Sequence, residues 1–196
     1  KFVSVNDVKL KSALIKSAAS ANHLDYIETS VGFKYFHSFL KQARKAKTIG
    51  LAVESSGGFS CSFHTLEKCG FLPVMMILSI IHDTGTPLSQ LANAVTEKYG
   101  QYYFEEQSYT FPAHIKPEII STMSELSIET IQATFEQPIE KITKKDGAKL
   151  IFSNGDWGLI RLSGTEPVAR IYAESKTESD SINIATLLKE MLESIA

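Results

Sequence analysis

The sequence predicts an α/β protein: an α/β half with a short mixed sheet and helices, then a small α+β half with an antiparallel four-stranded sheet and helices on one face. Three observations predict this. Up to residue 100, apolar residues at helical spacing alternate with short apolar strands. After Pro138 come three or four short strand-length segments, with turn residues between successive ones. Between the two regimes, Gln101–Phe111 is rich in aromatics and glutamates, and Pro112 and Pro117 follow closely. The boundary falls in that stretch, giving a first domain over 1–105 (N-terminally incomplete) and a second over 106–196. A chain of 196 residues is long enough for each half to bury its own core.

The elements follow in order. Asn6-Asp7 ahead of Val8, Leu10, Leu14 and Ile15 reads as a capped helix running to about Asn22. Asp25–Thr29 alternates as a short strand. After the Ser30-Val31-Gly32 turn, Phe36, Phe39, Leu40 and Ala43 recur at helical spacing. The basic run Lys41, Arg44, Lys45 and Lys47 reads as the solvated face of that helix. Thr48–Val53 is an apolar strand that runs into Glu54-Ser55-Ser56-Gly57-Gly58.

Gly70–Asp83 is apolar on nearly every side, which predicts a helix buried on most of its faces, with Pro73 in its first turn. Gly85-Thr86-Pro87 breaks it, and Pro87–Tyr99 forms the next helix. In the second half, helical patterns cover Pro117–Phe135. Strands follow at Ile139–Lys144, Ala148–Ser153, Trp157–Leu162 and Val168–Glu174, and Lys145-Asp146-Gly147 and Asn154-Gly155-Asp156 carry hairpin-turn chemistry. Thr177 with Asp180 starts the last helix, which buries Ile184, Leu188, Met191 and Ile195.

Charge and composition narrow the function classes. Twenty basic residues against 22 acidic ones leave a net charge of −2, which speaks against a nucleic-acid or anionic-membrane surface. An anionic ligand must therefore be held by a local site. The longest apolar run, Phe71–Ile81, is too short to cross a bilayer. Cys61 and Cys69 form no C-x-x-C pair and read as two thiols in a reducing cytosol. The histidines, at 23, 37, 64, 82 and 114, show no metal-ligand spacing. The first 16 residues lack the apolar stretch of a signal peptide. They begin in mid-pattern without an initiator methionine, so a piece of a longer protein is expected.

Arg161–Arg170 is the most informative stretch. A strand ends at Arg161, turns through Ser163-Gly164-Thr165 and restarts at Val168. Arg161 brings a guanidinium able to make bidentate contacts, Ser163 and Thr165 bring hydroxyl donors, and Gly164 lets backbone N–H groups approach an anion. Arg170, on the neighbouring strand, either buttresses the loop or adds a second cation. The competing reading is a plain hairpin in which Glu166 pairs with Arg161 or Arg170.

Arg161-Leu-Ser-Gly-Thr-Glu-Pro-Val-Ala-Arg170-Ile-Tyr172-Ala-Glu174 resembles the C-terminal motif of the α-D-phosphohexomutase family, R-x-S-G-T-E-P-x-x-R followed by an aromatic residue and a glutamate. Two more segments match in the family's order. Val53-Glu54-Ser55-Ser56-Gly57-Gly58 resembles its G-E-x-S-G-G sugar loop, and Thr29-Ser-Val-Gly-Phe-Lys34 resembles its T-x-V-G-F-K segment. The resemblance covers essentially the whole chain and implies the third and fourth domains of a phosphoglucomutase or phosphomannomutase. It implies that Arg161, Ser163, Gly164, Thr165 and Arg170 hold a phosphate, that Glu54 and Ser56 hold the sugar, and that Lys34 neutralises substrate charge or assists proton transfer.

The substrate so implied is a hexose phosphate, glucose or mannose 1- or 6-phosphate. The family's phosphoserine loop and its Mg²⁺-binding D-G-D-x-D-R-like loop do not occur in this sequence. The resemblance places both in missing N-terminal domains of the same protein, so the isolated chain is expected to bind without turning over and to expose apolar surface toward those domains. A degenerate, non-catalytic sugar-phosphate-binding module is the alternative. The sequence departs from the family at Val53 (usually glycine), at Ser55 (often acidic) and at Cys69, where Lys-Asp-Gly becomes Lys68-Cys69-Gly70. The last change is expected to cost either a helix cap or a loop hydrogen bond, on the order of 1 kcal/mol.

Overall fold

The first sheet is built from parallel crossovers, each needing a helix to return the chain to the same edge. The computed structural model describes residues 3–7, 13–54 and 57–195. The chain divides into two units, Lys1–Gln101 and Tyr102–Ala196. In the first, β1 (Val3–Asp7) lies between β2 (Asp25–Thr29) and β3 (Gly50–Val53), parallel to both. Strand β4 (Phe59–Cys61) adds antiparallel to β3, giving a mixed sheet of order β2-β1-β3-β4.

This corrects the expected first helix. Asn6-Asp7 does not cap a helix but pairs within β1, Asn6 with Glu28 and Val53, and Asp7 with Thr29. Ladders on both sides outweigh the local capping chemistry of Asn and Asp. Val8 and Leu10 lie outside the described residues, and helix α1 spans Ala13–Ala21.

Helix α2 (His37–Lys45) buries the apolar stripe its spacing predicted. Leu40 packs with Phe33, Phe36 and Ala52, and the two phenylalanine rings meet edge to face at 5.1 Å. Helix α3 (Phe71–Thr84) departs from expectation. None of its residues is buried, Phe71 is 85% exposed and Met75 64%. Its apolar residues run all round the helix, so no single packing face could cover them, and Leu72, Pro73 and Ile81 alone are partly covered. Helix α4 (Leu88–Tyr99) follows after a bend of 94° at Gly85–Pro87 and leaves Leu88 and Val95 exposed. No single described helix is long and apolar enough to cross a membrane.

The second unit holds an antiparallel sheet of order β5-β9-β8-β7-β6, with five strands where four were expected. The strands are β5 (Tyr103–Thr110), β6 (Ile139–Thr143), β7 (Ala148–Phe152), β8 (Trp157–Leu162) and β9 (Val168–Ser175). The fifth is β5, which pairs along its length with β9, from Tyr103 opposite Ser175 to Thr110 opposite Val168. It shields what would otherwise be an open edge of β9.

Helices α5 (Lys116–Glu125), α6 (Ile128–Ile131) and α7 (Glu178–Glu193) complete the unit. Ile119, Ile184, Leu188 and Leu192 join Leu150, Phe152, Ile160 and Ile171 in its core. Gly158 faces α7 so closely that a Cβ there would lie 2.6 Å from Leu188. Because side chains alternate along a strand, Trp157, Leu159 and Arg161 point to the opposite face. There Lys149 Nζ lies 3.6 Å from the Trp157 ring centroid, and Trp157 Nε1 donates to Glu174 at 3.1 Å. Arg161 and Arg170 stand at one end of that face.

Candidate functional site

The β8–β9 connection is a tight loop held by its own backbone. The Ser163 N–H donates to the Val168 carbonyl at 2.9 Å, and the Phe111 N–H donates to Pro167 at 3.1 Å. The Glu166 N–H donates to Ser163 Oγ at 3.2 Å, and Ser163 Oγ lies 3.5 Å from Thr165 Oγ1. The turn between them, Gly164-Thr165, has no backbone partner for either N–H among the described residues. A Cβ placed on Gly164 would meet no atom within 4 Å, so open space lies directly over it.

Arg161 and Arg170 are directly opposite each other in the β8–β9 ladder and therefore on one face. Like charges so placed repel unless an anion lies between them. Among the described residues neither guanidinium has an ion-pair or hydrogen-bond partner, and Glu166 pairs with neither. The hairpin reading, in which Glu166 neutralises an arginine, is not what the fold forms. With Leu162, Ser163 and Gly164, the two arginines line a cavity of about 220 Å³.

The second candidate loop follows β3. Its ends are closed by Glu54 N–H donating to the Gly58 carbonyl at 2.8 Å and Gly57 N–H donating to the Glu54 carbonyl at 2.9 Å. Glu54 is buried, and Lys68 donates to its Oε2 at 3.0 Å. Ser56 lies outside the described residues, as does Ser55. Gly32, at φ 127°, leads into a 3-10 turn at Phe33–Tyr35, where buried Phe33 anchors the segment and Lys34 is left exposed. Lys34 Nζ lies 5.1 Å from the Tyr35 ring centroid. Helix α3 has Gly70 at its N-cap and no side-chain cap, so Cys69 lies one residue before the capping position.

The fold thus brings the phosphate-loop residues together in the second unit, while Glu54 and Lys34 belong to the first. Two lysines went unnoticed in the sequence. Lys68 stood in the sequence only as part of Lys68-Cys69-Gly70, and a separation of 14 residues carries no local signal that it pairs with Glu54. Lys116 donates to the Ser163 carbonyl at 2.9 Å across 47 residues, and nothing local announces it. Arg161 also borders a neighbouring cavity of about 340 Å³ with Ile120, Met123, Lys144, Asp146 and Gly147. Among the described residues no group of three or more His, Cys, Asp and Glu side chains converges to hold a metal.

The chain is thus an α/β unit followed by an α+β unit whose β8–β9 loop carries two unneutralised arginines. The chain belongs to the phosphoglucomutase/phosphomannomutase family: residues 5–99 match its alpha/beta/alpha domain III and residues 118–190 its C-terminal domain. It is 26% identical over 201 residues to a phosphoglucomutase/phosphomannomutase of Thermococcus kodakarensis, covering 98% of this chain and 41% of that protein. It is 26% identical over 211 residues to human glucose 1,6-bisphosphate synthase, covering 93% of this chain and 34% of that protein. The fold matches the open form of parafusin, a phosphoglucomutase from Paramecium, with a TM-score of 0.74 at 18% identity, over 98% of this chain and 38% of that one. The chain therefore spans about two fifths or less of the length of these relatives.

Proposed function

We propose that this chain is the sugar- and phosphate-holding portion of a hexose-phosphate mutase, with glucose or mannose 1- or 6-phosphate as substrate. One observation carries the reading: two cross-strand arginines without a carboxylate partner face a small cavity whose rim offers free N–H groups and hydroxyls. A phosphate dianion satisfies both guanidinium groups and the Gly164 and Thr165 N–H groups at once. Arg161, Ser163, Gly164, Thr165 and Arg170 hold the phosphate that does not react.

Glu54 accepts hydrogen bonds from sugar hydroxyls, Ser56 is the second residue assigned to the sugar, and Lys34 offsets negative charge near the reacting phosphate. The work of these residues is positioning and charge stabilisation. The phosphoserine that donates phosphate, and the Mg²⁺ that assists it, belong to other domains of the same protein. The setting is cytoplasmic, in keeping with two free thiols.

Calorimetry on this chain tests the reading. Glucose 1-phosphate binds the wild type and binds at least tenfold more weakly to Arg161→Ala, glucose itself does not bind measurably, and no mutase turnover accompanies binding. Equal affinity for glucose and glucose 1-phosphate would sink the phosphate assignment, and turnover by this chain alone would sink the division of labour.

A further inference from the structure

Lys116 is an unusual residue for its position. It is the first residue of α5, where a cation opposes the helix dipole, and among the described residues it has no carboxylate partner. The backbone leading to it is fixed by buried Ile115 in the preceding 3-10 turn and by buried Ile119 one turn on. Its half-buried side chain spends its ammonium on one neutral acceptor, the Ser163 carbonyl, at 2.9 Å.

The consequence lies in the next bond of the chain. The Ser163 carbonyl and the Gly164 N–H belong to one peptide unit, and no described peptide bond is cis. In a planar trans peptide the two groups point in opposite directions. Whatever holds the Ser163 oxygen therefore sets the aim of the Gly164 N–H. Glycine on one side of the unit makes it the easiest peptide of the loop to rotate, because no Cβ resists the change. Rotated, it would turn a carbonyl oxygen toward a bound anion in place of an N–H.

We infer that Lys116 is a positioning residue of the phosphate site: by holding the Ser163 carbonyl it locks the Ser163–Gly164 peptide with its N–H toward the anion. The inference rests on reading this loop as a phosphate site, and it adds a residue from outside the motif. Lys116 touches the loop and not the reacting atoms, so it acts through Gly164. Its ammonium also brings a third positive charge to a loop that already carries two arginines.

The test compares ligand-free and phosphate-titrated NMR spectra of the 196-residue chain and its variants, with inorganic phosphate as the probe. In Lys116→Met the Gly164 amide shifts or broadens before any phosphate is added, and phosphate affinity falls at least tenfold. Lys116→Arg, which keeps a charged donor, restores both to within about threefold of wild type. Lys116→Leu, which likewise has no donor, takes the place of the methionine variant if that one does not fold. An unchanged ligand-free Gly164 amide in the variant overturns the lock, even if affinity drops, since Lys116 would then be a direct phosphate contact. Unchanged affinity overturns it as well. A wild type indifferent to phosphate refutes the phosphate-site reading instead, and the ligand-free Gly164 comparison still decides the lock.

Discussion

Oε2 of Glu54 and Nζ of Lys68 stand 3.0 Å apart, and the Gly58 backbone approaches so closely that a Cβ there would lie 2.6 Å from that oxygen. The carboxylate is buried while the lysine is more than half exposed, so solvent screens the pair from one side. A double-mutant cycle with Lys68→Met and Glu54→Gln, read by urea unfolding, should give a coupling energy of about 1 kcal/mol. Lys68→Met should be the costlier single change, because it leaves a buried charge without its cation. Strictly additive effects would show the pair to be idle.

Gly147 tests the hairpin that supports β8. Its φ is 126°, and a Cβ there would lie 2.1 Å from the Ile160 carbonyl oxygen, which cannot move without breaking the β7–β8 ladder. Gly147→Ala should destabilise the second unit by about 2 kcal/mol or more. A shift in the urea midpoint of that unit measures it. A change within about 0.5 kcal/mol, the range of ordinary surface substitutions, would contradict the packing described here.

Gly164 should behave in the opposite way. Open space lies where its Cβ would be, and its φ is not in the left-handed region. Gly164→Ala should leave stability within about 0.5 kcal/mol of wild type and weaken phosphate binding by about tenfold, because the methyl group occupies the anion's approach. Thermal melts and phosphate titrations on the same samples separate the two effects. Loss of stability with binding unchanged would assign the glycine to the turn alone.

The two thiols should differ in reactivity. Burial pushes the Cys61 thiol up, opposed in part by hydrogen bonds from the Phe63 and His64 backbone. Cys61 is fully buried and Cys69 is not. At pH 8 iodoacetamide should modify Cys69 in the folded chain and Cys61 only after denaturation, as read by peptide mass spectrometry. The sign for stability follows. A thiol held neutral by the fold contributes stability below the ordinary thiol range, and that contribution fades as pH rises through and beyond it.

The β8–β9 loop was legible because its residues are local: Arg161, Ser163, Gly164, Thr165 and Arg170 lie within ten consecutive residues, and the turn between two strands brings them together. Helix α2 was legible for the same reason, from a stripe at helical spacing. What the sequence hid depended on distant partners. Asn6-Asp7 carries helix-start chemistry, yet β2 and β3 on either side draw it into a strand. Gln101–Phe111 stood out for its aromatics and glutamates, but its place as a fifth strand is decided by the distant β9. The apolar run of α3 promised burial, and continuous apolarity could not say which face, if any, would be covered within this chain. Lys116 carries no local signal, and only the fold sets it against Ser163.

The central claim is that the Arg161–Arg170 loop grips a sugar phosphate. Two-dimensional ¹H–¹⁵N NMR of this chain during titration with glucose 1-phosphate tests it most directly. The Gly164 and Thr165 amides should shift in a saturable way, and Arg161→Ala should abolish the shifts while leaving the rest of the spectrum in place. Amides of Arg161–Thr165 that stay still at millimolar glucose 1-phosphate, or that move equally in the Arg161→Ala variant, would contradict it.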